Sequence, residues 1–522
     1  MVRYSLVRAG EVRQTLTINV IRIATYPNER KKQQAEPDLM PIEFLVVGGS
    51  IAGLSAAIAL RRAGHKVTVF DIENPFEAVL HRAQTPIDAG CRLPPNSTKM
   101  YYRWGLEERL HACAVRCKGT IFAQCTVDDS GSVVGSHEWQ EDVLLETGGD
   151  FLFIHYTDIR RILAECAAEH GATIRYGPEN TVAKITAHAT RPSIELASGE
   201  VLTADVVVGA DGYLLPGWIA RKYLLEAHEQ EDTKKPTGMQ MFNVVVREAD
   251  MVDQGEHKEF LEMLRTTGKV VTWYGSKYGA FAYPMKTATT GEPAFTLYVY
   301  APLENEGDPL LARNSTRDAL LDSIKGADPR LMQLAKHAAH VAAIPMVDHP
   351  MLEDWVHPDG RFICIGEAAH PTQVGSVYAF GMSTGDAAVL GRLFKYLHRP
   401  EQIDTFLSAV QEIRESRVKQ VMKTSAGNIF AVSLPPGMAE ARDRRLQERA
   451  EEGIAGLASG QTSEQMIETV ESVFAYDPED QADNWWVEWG VMQERAERWS
   501  IRDEDSPPGV DFGVSVSTTV DS

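Results

Sequence analysis

The tightest constraint on the fold lies between Ile42 and Asp71. Ile42–Val47 is a short apolar, β-branched-rich run, the pattern of a strand buried on both faces in a parallel sheet. It leads directly into Gly48-Gly49-Ser50-Ile51-Ala52-Gly53. Leu54, Ala57 and Ile58 then recur at helical spacing as far as Arg62, and Gly64 is a stop signal. Lys66–Phe70 reads as a second strand that ends at Asp71. Strand, glycine turn, helix and strand make one βαβ unit, and its turn is a cradle for a pyrophosphate. Gly48 allows the tight turn, Gly53 lets the helix lie close to the sheet, and the helix N-terminus offers free N–H groups and partial positive charge. Ser50 stands where backbone approaches the pyrophosphate and a glycine is usual. Asp71, 18 residues past Gly53, puts a carboxylate where a ribose diol would lie. NAD and FAD both fit such a cradle.

The rest of the chain separates them. A second phosphate-type loop, Gly366–Pro371, follows the strand-like run Arg361–Ile365 more than 300 residues downstream. Two distant segments that touch one ligand suit a long cofactor. Between them, helical patterns at Ser97–Leu110 and 157–170 precede strand-like pieces at Thr173–Tyr176, Val182–Ala187, Ser193–Leu196 and Val201–Val208. Met239–Val246, Val270–Tyr274, Ala280–Tyr283 and Phe295–Tyr300 are aromatic and β-branched runs between polar loops, the signature of an antiparallel sheet. Residues 315–340, Thr384–Tyr396 and Asp404–Thr424 read as helices. The expected fold is α/β, a Rossmann-like cofactor domain with an interleaved substrate domain and a helical C-terminal tail. The expected boundaries are a mobile leader over 1–40, a discontinuous cofactor domain over 41–224 and 341–435, a substrate domain over 225–340, and an acidic extension over 436–522.

Charge excludes some partners. The chain of 522 residues carries 52 basic and 73 acidic side chains, a net charge of −21, which repels nucleic acid and anionic lipid at long range. Residues 438–522 hold 20 of the acids against 7 basic residues. Trp485, Trp486 and Trp489, with Val487, mark a segment of this tail that packs on the body or on a partner, whereas Ser506–Ser522 reads as loose. No stretch reaches the ~18 apolar residues of a membrane span. Six dispersed cysteines suit reduced thiols in an intracellular, cytoplasmic setting, and no metal-ligand spacing stands out.

Three motifs carry a resemblance to a known family. They are Val46–Gly53 with Asp71; Ala204-Asp205-Val206-Val207-Val208-Gly209-Ala210-Asp211-Gly212; and Trp355 followed by Gly360–Pro371, with Asp386-Ala387-Ala388-Val389-Leu390 continuing as the next helix. In this order, over about 42 to 435, the chain resembles class A flavoprotein monooxygenases of the aromatic hydroxylase type, like salicylate and p-hydroxybenzoate hydroxylases, and its tail looks like that of fungal members. The resemblance implies FAD as cofactor, NADH or NADPH as co-substrate, and O₂ and a small aromatic compound as substrates, in a monomer or homodimer. It implies that Gly48, Ser50 and Gly53 cradle the pyrophosphate and that Asp71 holds the adenosine ribose. Asp211 and Gly212 would sit near the pyrophosphate, and Glu367, after Gly366, would bind the ribityl chain. Gly90, Arg92, Tyr156, Pro371, Ala379 and Phe380 would lie about the flavin.

Several positions depart from the family pattern. Glu367 replaces an aspartate and reaches one methylene further. Tyr156 takes the place of a common flavin-contacting arginine, and Val377-Tyr378-Ala379 stands where G-Q-G is usual. Two catalytic candidates follow from the resemblance. Tyr283, in Phe281-Ala282-Tyr283-Pro284, could hydrogen-bond a substrate phenolate, and His370 would lie beside the flavin. Each also has a plain structural reading, as a core aromatic and as a turn residue. Asn243 aligns with an arginine common on the first substrate strand, which argues against an acidic substrate. A flavoprotein that does not oxygenate, or a chain that has lost FAD, stay open as alternatives.

Overall fold

The fold is described from a computed structural model, which covers residues 39–76, 90–125, 133–139, 141–213, 219–251, 258–288, 290–303, 313–451 and 472–492. The expectations for the leader over 1–38 and for Ser506–Ser522 lie outside these residues. The chain divides into one unit spanning Leu39–Val487 and a second formed by its two ends, of which Glu488–Met492 are described.

A five-stranded parallel sheet carries the cofactor motifs. Its order is Phe362–Cys364, Val206–Gly209, Glu43–Val47, Lys66–Asp71 and Thr173–Tyr176. Phe44 to Val47 and Val206 to Gly209 are all buried, as continuous apolar runs covered on both faces require. The helices Ile51–Arg62 and Ala379–Phe394 pack on each other through small residues; Gly391 lies against Ala59. Both begin earlier than their apolar spacing indicates, because their first turns are rich in glycine, alanine and serine and carry no apolar stripe. The expected helix Ser97–Leu110 is two, Pro95–Arg103 and Glu107–Cys113, interrupted around Gly105.

The second sheet is mainly antiparallel. In order it holds Arg313–Ser315, His340–Asp348, Lys235–Arg247, Pro293–Pro302, Gly279–Lys286, Lys269–Ser276, Gly119–Gln124 and Val133–Glu138. The single parallel pairing in this order joins Lys269–Ser276 to Gly119–Gln124. Strands from either side of the 225–340 stretch thus complete the sheet.

Side-chain alternation gives the sheet two apolar faces. Phe242, Val244, Phe295, Leu297 and Val299 form one face, which is covered by Phe260, Leu264, Leu320, Leu331 and Leu334 from the helices Lys258–Thr267, Arg317–Ser323 and Pro329–Lys336. Met241, Tyr283, Tyr298, Tyr300, Ile344 and Met346 form the other, which meets Phe151, Phe153 and Phe474. This second face looks toward the cofactor motifs.

Candidate active site

The turn after Glu43–Val47 is held from three directions. Gly48 has φ 103°, and a Cβ there would come 2.6 Å from the Ala210 carbonyl oxygen, so only glycine suits it. A Cβ on Gly53 would run into the Gly48 carbonyl oxygen. Ser50 precedes the helix Ile51–Arg62, yet its hydroxyl donates to the Ala210 carbonyl (3.0 Å) and does not cap the helix. With no side-chain cap and no acid in the first turn, the helix N-terminus keeps its N–H groups and positive end for an anion. The Gly49 N–H donates to Asp71 Oδ2 (2.6 Å).

A cation missed by the sequence reading completes this end. Arg160, on the helix Tyr156–Glu169, is buried; its Nε donates to the Gly49 carbonyl (2.9 Å), its Nη2 lies 3.1 Å from Asp71 Oδ2, and its Nη1 lies 3.0 Å from Glu73 Oε2. Opposite, Asp211 Oδ2 accepts from the N–H groups of Ile219 (2.6 Å) and Ala220 (3.1 Å). Burial pushes its carboxyl up to about 6, against the pull of those amides. Its Oδ1 is buried and without a partner among the described residues. Gly212 follows with φ 76° and leads to Tyr213.

The second loop is braced from behind. Gly366 has φ 61°, and a Cβ there would lie 2.6 Å from the Ala52 Cβ. The Gly366 N–H donates to Asp386 Oδ2 (2.8 Å), which also meets His370 Nε2 (2.6 Å), while Arg414 Nε donates to Asp386 Oδ1 (2.8 Å). All three side chains are fully buried. Burial works against the Asp386 charge, but His370 and Arg414 outweigh it and hold the carboxyl below its usual range. The buried Arg221 ties the Ala368 and Ala369 carbonyls to the Pro350 carbonyl and Asp232.

Between loop and sheet lies a cavity with about 700 Å³ of free space. Gly90, Arg92, Tyr156, Glu367, Ala379 and Phe380 line it from the cofactor side; Met241, Asn243, Tyr298 and Ile344 line it from the sheet; Tyr213 and Thr372–Ser376 border it. Burial raises the Glu367 pKa, and the longer side chain folds back to accept from the Thr372 hydroxyl (2.5 Å). Arg92 donates to the Gly375 carbonyl (2.5 Å), and its guanidinium lies 5.1 Å from the centre of the Phe281 ring. No carboxylate among the described residues pairs with it.

The two catalytic candidates stand back from this space. His370 is fully buried, turned to Asp386 and tilted against the Trp355 ring, and it does not line the cavity. Tyr283 is fully buried with its ring on Phe153; its hydroxyl donates to the Tyr298 hydroxyl (3.3 Å). Tyr298 reaches the cavity and donates to the Gly90 carbonyl. Burial pushes Tyr298 up to about 12 and raises Tyr283 as well. Pro371 borders a neighbouring cavity of about 380 Å³ with Asp348, His349 and Thr372.

These features fit a dinucleotide: a turn where added Cβ atoms would collide, an uncapped helix end, and an orphaned buried carboxylate oxygen at Asp211. A family model described as an FAD binding domain matches residues 42–425. The chain belongs to this FAD-binding family. It is a class A flavoprotein monooxygenase of the aromatic hydroxylase type, and FAD is its cofactor.

Proteins named as FAD-dependent monooxygenases and hydroxylases match most of its length. FAD-dependent monooxygenase OpS4 of Beauveria bassiana is 28% identical over 419 residues, covering 79% of this chain and 91% of that protein. Hispidin-3-hydroxylase of Neonothopanus nambi is 26% identical over 398 residues, 74% of this chain and 87% of the relative. 3-Hydroxybenzoate 6-hydroxylase of Klebsiella oxytoca is 25% identical over 350 residues, 67% of this chain and 78% of the relative. The fold matches a salicylate hydroxylase substrate complex with a TM-score of 0.63 at 19% identity, covering 85% of this chain and 97% of that one. In this monooxygenase Glu367 of the second loop and Tyr298 of the sheet line one cavity, and among the described residues no helix is long and apolar enough to cross a membrane.

Proposed function

We propose that this monooxygenase hydroxylates a phenolic or similarly electron-rich aromatic compound, with NAD(P)H as reductant and with or without loss of a ring carboxylate. The observation that carries this reading is the single cavity lined on one side by Arg92, Glu367 and Ala379 and on the other by Met241, Asn243, Tyr298 and Ile344. Gly48, Ser50, Gly53 and the helix N-terminus would hold the pyrophosphate, Asp71 the adenosine ribose, and Glu367 the ribityl chain. Asp211 and Gly212 would stand near the pyrophosphate. Gly90, Arg92, Tyr156, Pro371, Ala379 and Phe380 would surround the flavin ring. Bound FAD would carry electrons from NAD(P)H to O₂ and pass one oxygen atom of O₂ to the substrate.

The chain's own residues orient the substrate, exclude water and stabilise charge. Tyr298 is protonated at neutral pH, since burial holds it near 12, so it donates and cannot act as a base. It could pass its hydrogen bond from the Gly90 carbonyl to a substrate oxygen, and Tyr283 positions it. Arg92 brings the positive charge that a phenolate or an electron-rich flavin edge would meet. Asn243 offers a neutral amide, which suits an uncharged substrate better than a benzoate. Tyr298, Met241 and Ile344 on the sheet side of the cavity would keep water from the reacting ring.

A panel of phenols and benzoates tests the reading. Substrate-stimulated NAD(P)H oxidation with oxygen-18 from O₂ in the product is the expected result. Oxidation without incorporation would make the protein a non-oxygenating oxidoreductase, and a purified protein without flavin absorption would remove catalysis altogether.

A further inference from the structure

Tyr156 and Arg160 lie one turn apart on the helix Tyr156–Glu169, so their side chains leave the same face. The guanidinium expected at 156 is absent, and one is present four residues on, against the Gly48–Gly53 turn. Arg160 grips both sides of the phosphate turn. It fixes the Gly49 carbonyl through Nε, while its Nη2 contacts the Asp71 oxygen that accepts the Gly49 N–H. The other Asp71 oxygen accepts the Glu73 N–H (2.8 Å), and Arg160 Nη1 holds the Glu73 carboxylate. One backbone carbonyl and two acids are therefore set by one planar fork, a geometry that lysine cannot reproduce.

We propose that Arg160 is the positioning residue of the adenosine half of the FAD site. It orients the Gly49 carbonyl and Asp71, and it sets a positive charge against the Asp71 and Glu73 carboxylates beside the turn. This rests on the reading that the Gly48–Gly53 turn and Asp71 receive that half of FAD. Like charges at such range repel strongly where water is scarce. Removing Arg160 takes one positive charge away from Asp71 and Glu73, so FAD binding should weaken and added salt should restore part of it.

The test is a fluorescence titration of apoprotein with FAD. Arg160→Met should weaken binding by about tenfold or more, the loss of one charge-assisted contact. Arg160→Lys should fall between Arg160→Met and the unaltered protein. Adding Glu73→Gln to Arg160→Met should recover several-fold, and the deficit should shrink at high ionic strength, neither of which a merely structural role would produce. Arg160→Met within about twofold of the unaltered protein would overturn the proposal, as would a loss that neither salt nor Glu73→Gln reduces. Asp71→Asn separates the two readings. If it weakens FAD while Arg160→Met does not, only the role of Arg160 falls; if neither weakens FAD, the assignment of the turn falls with it.

Discussion

Tyr298 shows how one hydroxyl can organise a cavity wall. It sits between the Tyr283 hydroxyl and the Gly90 carbonyl, so Tyr298→Phe leaves a buried donor and a buried acceptor unpaired. The expected outcome is a ten- to hundredfold fall in kcat/KM, about what an unmet buried hydrogen-bonding group costs, with FAD retention unchanged; steady-state kinetics and flavin absorption measure the two. Asp211 gives a prediction in pH. Its folded pKa, about 6, lies above the ordinary 3.8, so the stability tied to its protonated form is fully present at low pH and lost as pH rises through about 6. Asp211→Asn keeps an acceptor for the Ile219 and Ala220 amides but cannot ionise. Its melting temperature should exceed that of the unaltered apoprotein above pH 6 and converge with it toward pH 4; parallel curves across that range would remove the assignment. The phosphate turn and Asp71 were legible because strand, turn and helix are contiguous in sequence. Tyr298 was half legible: Thr296, Tyr298 and Tyr300 alternate with Phe295, Leu297 and Val299, but only packing tells which face is the cavity. Arg160 left no local signal, because its partners lie 87 to 111 residues away, and Arg221 reaches Asp232 11 residues on but finds its carbonyl partners 129 to 148 residues away.

Elements matter here through what stands behind them. The Gly366–Pro371 loop faces the cofactor side, yet its shape is fixed by Asp386 and Arg414 on the helices Ala379–Phe394 and Gln402–Val432. The sequence marked Asp386 as part of a family helix and His370 as a flavin neighbour; their pairing is a tertiary fact that spacing on one helix does not reveal. Asp386→Ala would strand a buried arginine and free the Gly366 N–H. Breaking a buried pair from one side costs about 3–5 kcal/mol, so urea unfolding should show a loss of that order. FAD should also leave the variant more readily on dilution. Asp386→Asn should lose less, since its carbonyl still accepts from Gly366. The carboxyl is held low in the fold, so the stability it brings is present at neutral pH and lost on acidification.

At the scale of the whole molecule, three acids of the C-terminal stretch attach it to the body. In the segment from Ser472 to Val487, Asp477 pairs with Arg103 and Lys99, Glu479 with Arg103, and Asp483 with Arg392. The same segment buries rings. Phe474 meets Phe151 and Tyr378, Tyr476 lies under Arg414 and Arg417, and Trp486 stacks on Tyr396 at 4.8 Å. Trp485 and Trp486 are 9% exposed, whereas Val487 and Trp489 remain exposed, so the tryptophan cluster packs only in part. Partly exposed ion pairs contribute about 0–1 kcal/mol each and weaken in salt, while losing a buried aromatic ring costs about 3–5 kcal/mol. Ring burial should therefore hold the segment, with charge setting its register along the helices Pro95–Arg103 and Ala379–Phe394. Trp486→Ala should lower the melting temperature by several degrees at any salt concentration, while Arg392→Ala should lower it slightly at low salt and not at high salt. Because Phe474 packs on Tyr378, the residue before the cavity-lining Ala379, Phe474→Ala should in addition speed FAD release, followed as flavin fluorescence after dilution. An FAD release rate equal to that of the unaltered protein would confine the segment to stability alone.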